Sequence, residues 1–170
     1  MLFLEDMQLE DGITHTEVKL DKQKKPIIIE SQVRIGGGNI WKMVELTTGI
    51  SQFGYYYDAL ATKTIDEFRC VPSKCQAMSL SLIPKPGCIK EIKYNELANI
   101  SEVVLIDLFV KEGDTISPIV DSTGRKGSIL FTAKDIEHMY EVAYEICDNI
   151  TFVYQDLSEW KPSFKKKCGT

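Results

Sequence analysis

Two glutamates and the residues beside them carry the strongest chemical signal in this sequence. Glu30 is followed at every second position by Gln32 and Arg34, glycines 36–38 come next, and Glu17 lies a short distance upstream. Carboxylate and amide oxygens are ligands for a hard cation such as Mg²⁺. A guanidinium group and a glycine-rich backbone both suit a phosphate. The pattern therefore predicts one small site for a metal ion and a phosphate.

A β-hairpin is the element that would bring the two glutamates together. Residues 14–20 and 26–30 are rich in β-branched side chains, and the polar residues 21–25 suit a turn between them. A turn centred between Gln23 and Lys24 predicts three cross-strand pairs, which are Glu17 with Glu30, His15 with Gln32, and Val18 with Ile29. Because like charges directly opposite repel at about 5 Å between Cβ atoms, the glutamate pair calls for a cation.

The register also assigns side chains to the two faces of the hairpin, since they alternate along a strand. The apolar face is expected to lie mostly in the core and carries Thr16, Val18, Leu20, Ile27, Ile29 and Ser31. The polar face carries His15, Glu17, Lys19, Glu30, Gln32 and Arg34. A register slip of one residue would move the acids to the core face. Either Lys19 and Arg34 or a divalent cation could neutralise the paired acids.

An exposed strand face with salt bridges is the alternative interpretation of so short a motif. The matched Glu17 and the three consecutive glycines, Gly36, Gly37 and Gly38, favour the metal site instead. Glycine permits positive φ and lets backbone amides approach an anion closely. A helix over residues 39–48, with Asn39 as its N-cap, would add a positive dipole end behind the glycines.

The remaining pattern predicts an α+β fold, with an antiparallel sheet and flanking helices. A second helix is expected over residues 50–61, followed by a polar connector at 66–75. The later expected elements are strands at 77–83, 87–92, 103–110 and 128–132, a helix at 136–149 and a closing strand at 150–154. These elements suggest domains at 1–75 and 76–157, with a basic tail at 158–170.

Composition narrows the class of protein. With 170 residues, 44% hydrophobic and 26% charged, the chain resembles an ordinary globular protein. A net charge of −5 argues against broad nucleic-acid binding. The sequence has neither a membrane-length apolar run nor a signal peptide. Its five cysteines are irregularly spaced and form no zinc pattern, so we expect reduced thiols and a cytoplasmic location.

The motifs resemble those of ATP-grasp carboxylate–amine ligases. The segments that carry this resemblance are Gly12–Glu17, Ile28–Gly38 and Thr48–Ile50, and the likeness is strong over residues 10–55 and looser over 76–155. The amino-acid and dipeptide ligase branch is the most similar, with biotin carboxylase and the carbamoyl-phosphate synthase large subunit as more distant relatives. The resemblance implies the C-terminal portion of the ATP-grasp fold, with a small β-rich C-terminal subdomain.

The resemblance also implies roles for the candidate residues. Glu17, Glu30 and Gln32 would hold Mg²⁺ or Mn²⁺, and Arg34 would be catalytic, steadying the acyl phosphate and the transferred phosphoryl group of ATP. Gly36, Gly37, Gly38 and His15 would contact phosphate or substrate. Gln32 stands where the family has Asn and is one methylene longer. Arg125 could approach the same site, but an ordinary hairpin turn with a solvated arginine explains it better.

The chain resembles the later part of these ligases, without their ATP-binding half. Residues 1–9 resemble the tail of the helix that precedes the motif segment. We expect either a catalytic fragment or subunit that is inactive alone, or a non-catalytic binding or structural module descended from a ligase. Expected partners are ATP, a small carboxylate or amine substrate and an N-terminal ATP-binding lobe on another chain. A homo-oligomer formed through an open strand edge is a weaker expectation.

Overall fold

The computed structural model describes residues 12–64, 72–118, 120–121 and 124–164, and the single residues 3, 6, 8 and 9. More than half of the expected helix at residues 1–9 and much of the 66–75 connector lie outside the described residues. The chain divides into two compact units, Met1–Pro72 and Ser73–Thr170. Each unit is described by itself below.

The first unit contains the predicted hairpin. Strand β1, His15–Leu20, pairs antiparallel with strand β2, Pro26–Gln32. The turn is closed by Asp21, whose Oδ1 accepts hydrogen bonds from the backbone N–H groups of Gln23 and Lys25, each at 2.8 Å. This closure fixes Leu20 opposite Pro26.

A β-bulge changes the predicted register in the half of the hairpin near the turn. The pairs Glu17–Glu30 and His15–Gln32 are as predicted, but Val18 lies opposite Ile28 instead of Ile29. The pairs near the turn are centred on Gln23, half a position earlier than expected, and the register shift between Glu17 and Val18 compensates for it. An extra residue of this kind bends a strand and redirects its side chains.

The expected burial of the apolar hairpin face is wrong. Val18 is 53% exposed, Leu20 59%, Ile27 51% and Ile29 60%. In the described first unit, from residue 12 to residue 64, Gly36 is the only buried residue. Apolar alternation along these two strands therefore does not predict burial by the described residues of the first unit.

Two helices complete the described first unit. Helix α1, Ile40–Thr48, ends at Gly49, whose φ of 79° is the left-handed conformation expected there. Helix α2, Gln52–Thr62, begins at Ser51, whose Oγ accepts a hydrogen bond from the Gly54 N–H at 3.2 Å. Trp41 and Phe53 pack edge to face, with ring centroids 5.2 Å apart, and this contact joins the two helices.

The second unit is built from antiparallel strands and one long helix. Strands β3 (Gln76–Leu82), β5 (Val103–Leu108) and β7 (Gly127–Ala133) form a sheet of order β3-β7-β5. A second sheet has the order β6-β4-β8-β9, formed by β4 (Gly87–Lys93), β6 (Thr115–Ile116), β8 (Thr151–Tyr154) and β9 (Glu159–Trp160). A 3₁₀ helix spans Asn95–Asn99.

Helix α3, Ile136–Asp148, covers β7 and β3 and closes the core of the second unit. Asp135 caps it, accepting a hydrogen bond from the His138 N–H at 2.8 Å. The fully buried side chains include Leu82, Ile89, Leu97, Ile129, Phe131, Ile146 and Phe152. This unit therefore has the hydrophobic core that the described first unit lacks.

The α+β class and the main strands and helices agree with the sequence-based expectation. The short strands β6 and β9 and the 3₁₀ helix were not predicted, because two to five residues carry too little periodicity. Strand β9 lies in the segment expected to be a basic tail, and residues 165–170 of that segment are outside the described residues. Within the described chain, no helix is long and apolar enough to cross a membrane.

Cys147 should resist alkylation in the folded chain. Its side chain is buried at 6% exposure, and burial, with a smaller contribution from the Asp148 carboxylate, raises the pKa of its thiol. The reactive thiolate is therefore scarce at pH 8. We expect Cys147 to react with iodoacetamide at least about tenfold more slowly than Cys75, measured by peptide mass spectrometry. If Cys147 and Cys75 reacted at equal rates both in the native protein and after denaturation, the burial of Cys147 would be contradicted.

Candidate functional site: paired glutamates beside a glycine turn

The bulge in the hairpin sets the central geometry of the candidate site. Glu17 on β1 lies directly opposite Glu30 on β2, and the register irregularity begins at the next position along β1. Had the register set by the Asp21 turn continued unbroken, Glu17 would face Ile29. The extra residue therefore aligns the two carboxylates across the strands, at the end of the hairpin away from its turn.

Two further predicted residues join this pair. The Gln32 Nε2 donates a hydrogen bond to Glu30 Oε1 at 3.1 Å, and His15 Nε2 lies 3.5 Å from Glu17 Oε1. His15 and Gln32 are themselves cross-strand partners. The hydroxyls of Thr16 and Ser31 are 2.9 Å apart between these pairs. The structure thus brings His15, Glu17, Glu30 and Gln32 into one patch.

The two basic side chains that were the alternative to a cation, those of Lys19 and Arg34, form no ion pair with the glutamates in the described residues. The Arg34 Nη1 instead donates to the Ile35 carbonyl oxygen at 2.9 Å. Among the described residues, the side-chain contacts of the two acids are His15 at Glu17 and the Gln32 amide at Glu30.

The glycine turn connects the hairpin to helix α1. Gly36 is buried, and a Cβ at that position would lie 2.9 Å from Ile40 Cγ2 and 3.0 Å from His15 Nδ1. Gly38 has a φ of 60°, as expected for such a turn, whereas Gly36 and Gly37 do not have positive φ. The absence of a side chain at Gly36 lets β1 approach the start of the helix closely.

The helix start differs from the expectation in one detail. Asn39 occupies the N-cap position, but its backbone is left-handed, with φ 68°, and its side chain makes no capping hydrogen bond. The Ile40 N–H donates to the Gly37 carbonyl at 3.1 Å. The turn is therefore organised by backbone bonds, and its left-handed residues are Gly38 and Asn39.

The donor set contains the types of ligand that Mg²⁺ takes. Among the described residues, no group of three or more His, Cys, Asp or Glu side chains could hold a metal by itself. The two opposed carboxylates and the nearby amide match Mg²⁺, which takes one or two carboxylates and fills its octahedron with phosphate oxygens and water. Glu17, Glu30 and Gln32 are the residues that would hold the ion.

An open cavity of about 930 Å³ lies elsewhere in the first unit. Its lining residues are Gly12, Ile13, Tyr55, Tyr56, Ala59, Leu60 and Lys63, and none of them belongs to the predicted site. The tyrosines were interpreted from sequence as packing residues. The cavity adds no chemical group to the paired glutamates.

Gly36→Ala should loosen the candidate site. Its Cβ would be forced against Ile40 and His15, and overpacking of this kind costs about 1–3 kcal/mol. We expect faster amide hydrogen exchange across β1 and the first turn of α1. Gly37→Ala is the matched control, because its Cβ would meet only Arg34 Nη1 at 3.6 Å. Equal exchange in the two variants would show that Gly36 does not hold the turn against the strand.

Comparison with known proteins agrees with the motifs. Residues 80–155 match the family described as L-amino acid ligase C-terminal domain 2. The crystal structure of an L-amino acid ligase from Bacillus licheniformis superposes with a TM-score of 0.73 at 26% identity, covering 89% of this chain. A phosphoribosylglycinamide synthetase from Anaerococcus prevotii has a TM-score of 0.69 at 20% identity over 89% of this chain, a likeness of fold alone. No curated protein sequence matches the chain significantly.

The chain spans 38% of the length of the Bacillus licheniformis ligase and 39% of that of the synthetase. Both neighbours are ATP-grasp ligases, and the match falls on the C-terminal portion of that fold. The paired glutamates and the glycine turn lie in the first unit, whereas the family match lies in the second. Together these findings show that this chain is similar in fold and in sequence motifs to the C-terminal portion of ATP-grasp ligases.

Proposed function

We propose that this chain supplies the metal- and γ-phosphate-binding end of an ATP-dependent carboxylate–amine ligase. The observation that carries the proposal is the alignment of Glu17 with Glu30 across the hairpin, with no lysine or arginine ion pair at either acid in the described residues. Two opposed carboxylates without a protein cation suit a divalent cation. The L-amino acid ligase likeness makes an amino acid the natural substrate class.

The proposed chemistry is the activation of a carboxylate by ATP, followed by attack of an amine. The carboxylate takes the γ-phosphoryl group and releases ADP; the amine then displaces phosphate from the acyl phosphate and forms an amide. A bound Mg²⁺ would neutralise charge on the transferring phosphoryl group. Glu17 and Glu30 hold the cation in this scheme, and Gln32 fixes the Glu30 carboxylate by its hydrogen bond.

Arg34 and the glycine turn are proposed to act on the phosphate. Arg34 is exposed, and its guanidinium lies over the Gly37 backbone, close to the start of helix α1. A nucleotide at the glutamates would offer this guanidinium a stronger acceptor than the Ile35 carbonyl it uses now, because charge-assisted bonds to phosphate are about twice as strong. His15 would donate to a substrate or phosphate oxygen from the same face.

The proposal includes a partner lobe that binds the rest of the nucleotide. A phosphate-binding hairpin alone cannot meet the cost of orienting ATP against a carboxylate. We therefore expect no ligase turnover from the purified 170-residue chain. The adenine-binding part would come from another segment or from another polypeptide.

Calorimetric titration of Mn²⁺ or Mg²⁺ with and without ATP tests the proposal. We expect ATP to strengthen metal binding, since the two acids leave coordination positions for phosphate oxygens. A metal affinity that is the same with and without ATP, after correction for binding of the metal by free ATP, would contradict the proposed role.

A second candidate function is a non-catalytic module that keeps the ligase fold without turnover. Gln32 in place of the family's Asn and the 38% coverage of the ligase chain motivate it. The variant Gln32→Asn distinguishes the two candidate functions. If the chain is catalytic in a complete assembly, this variant should retain ATP-dependent metal binding. If the site is a remnant, the wild-type chain should show no such binding and the variant should gain it.

A further inference from the structure

The second unit contains an open cleft with a volume of about 480 Å³. Its lining residues are Ile92, Tyr94, Leu108, Val110, Lys111 and Glu112. Ile92 lies on β4 and Leu108 ends β5, so both sheets of this unit contribute to the cleft. Its volume is within the range of about 300–1,000 Å³ that is usual for small-molecule sites.

The floor of the cleft is apolar and is supported by the core. Ile92, Leu108 and Val110 are partly buried and pack against the core cluster of the second unit. Tyr94 is 37% exposed, and its carbonyl oxygen accepts a hydrogen bond from the Leu97 N–H at 3.0 Å. The floor is therefore formed in the absence of a ligand and can receive an apolar side chain.

Lys111 and Glu112 provide the charged groups of the cleft and lie in a turn that is fixed by hydrogen bonds. The Lys111 N–H donates to Asp114 Oδ2 at 2.9 Å, and the Asp114 N–H donates to the Lys111 carbonyl oxygen at 3.1 Å. The Gly113 N–H donates to the Ile89 carbonyl oxygen, and the Ile89 N–H donates to the Asp114 carbonyl oxygen, each at 2.9 Å. These bonds attach the turn to β4.

The two charged side chains have no ionic partner within the described part of the chain. Lys111 and Glu112 are exposed, and neither forms an ion pair with the other or with a further described residue. A ligand with a single charge would be attracted by one of them and repelled by the other. An uncharged apolar ligand would displace water from both without replacing its hydrogen bonds. A zwitterion with neighbouring cationic and anionic groups satisfies both side chains.

We infer that this cleft binds a free α-amino acid with an apolar side chain. The carboxylate of the ligand pairs with the Lys111 ammonium group, its own ammonium group pairs with the Glu112 carboxylate, and its side chain contacts the apolar floor. Charge-assisted hydrogen bonds of this kind are about twice as strong as neutral ones. The inference goes beyond the proposed function, because the cleft needs neither ATP nor a metal ion and lies in a different unit from the paired glutamates.

Titration of the ¹⁵N-labelled full chain with L-leucine, without ATP or metal, tests the inference by nuclear magnetic resonance. We expect saturable shifts of the amide signals at residues 92–94 and 108–113, with a dissociation constant on the order of 1 mM for so small a ligand. Glycine has the same charges without an apolar side chain and should bind at least about tenfold more weakly. A lack of saturation by about 20 mM leucine, shifts centred on other residues, or equal binding of glycine and leucine would overturn the inference.

Blocked ligands and charge-removing variants separate the two ionic contacts. Leucinamide lacks the carboxylate and N-acetylleucine lacks the ammonium group, so each should bind the wild-type chain at least about tenfold more weakly than leucine. Lys111→Met should weaken leucine binding by a similar factor without weakening leucinamide further. Glu112→Gln should weaken leucine binding without weakening N-acetylleucine further. Binding of both blocked ligands as tightly as leucine would overturn the proposed pairing of charges.

Lys134→Met and Glu141→Gln are the matched controls, because both residues are exposed in the same unit but do not line the cleft. Their affinity for leucine should equal that of the wild-type chain, and unchanged amide signals away from the cleft show that each variant is folded. Leucine affinities that are equal in the test and control variants would overturn the inference. Because the metal titration reports on the first unit, failure of the amino-acid site is distinguishable from failure of the proposed function.

Discussion

Glu30→Gln should lower the affinity of the chain for Mn²⁺ in the presence of ATP by about ten- to a hundredfold, since an interaction with a charged group contributes roughly 1.5–3 kcal/mol. The substitution keeps the size of the side chain and removes its charge. Glu30 is exposed, so the hairpin itself should persist. Calorimetry of the variant beside the wild-type chain measures the change directly.

Glu91→Gln is the matched control for this experiment. Glu91 is also an exposed glutamate in the middle of a strand, but it lies in the second unit and its carboxylate is 3.8 Å from Lys93 Nζ. We expect its metal affinity to equal that of the wild type. Glu17→Gln should reproduce the effect of Glu30→Gln. Equal losses in all three variants would indicate diffuse binding by surface acids.

Phe131→Ala should destabilise the chain by about 3–5 kcal/mol, the usual cost of removing a fully buried phenylalanine. Phe131 lies on the central strand β7, has no exposed surface and belongs to the core between the sheets and helix α3. Truncation removes the transfer energy of the ring and leaves a cavity. Urea unfolding followed by circular dichroism measures the change, with the slope of the transition checked for two-state behaviour.

Phe109→Ala provides the comparison. Phe109 is 65% exposed and follows β5 in the same unit. Truncating it should change the free energy of unfolding by no more than about 0.5 kcal/mol. Similar losses from the two substitutions would show that β7 does not lie at the centre of the core.

The pairing of Glu17 with Glu30 could be predicted from sequence, although the details of the register could not. Alternation and the polar turn are strong signals, and they place the two acids on adjacent strands. The bulge has no sequence signature here, because it arises where the turn closed by Asp21 meets the register of the outer pairs. The predicted partner of Val18 is wrong because the strand pairing was assumed to continue without a bulge.

The hydrogen-bond partner of Arg34 also could not be predicted from the sequence. Its charge and its place on the polar face made Arg34 one candidate to neutralise the acids, but its guanidinium bonds to the Ile35 carbonyl oxygen. By contrast, the elements of the second unit were predictable, because α3 has strong apolar periodicity and β7 has a continuous apolar run. The buried positions of α3 follow from its periodicity, whereas β7 is buried at three consecutive positions, 129–131.

The exposure of the hairpin shows that alternation of apolar residues does not by itself predict burial. The alternating residues predict burial of Val18 and Leu20, yet both are more than half exposed. Periodicity tells which residues need a partner surface, whereas the identity of that surface depends on segments beyond the hairpin. Because of the bulge, Ile27 lies opposite Lys19 and therefore on the other face from the one predicted for it.

Paramagnetic broadening by Mn²⁺ tests the metal site most directly. A ¹⁵N-labelled chain is titrated with substoichiometric Mn²⁺ in the presence of ATP, and amide signals are followed residue by residue. Broadening should begin at residues 15–17 and 30–34, the two strand segments that carry the acids. Broadening that begins instead at acids of the second unit, or that spreads evenly over all exposed carboxylates, would contradict a cation held between Glu17 and Glu30.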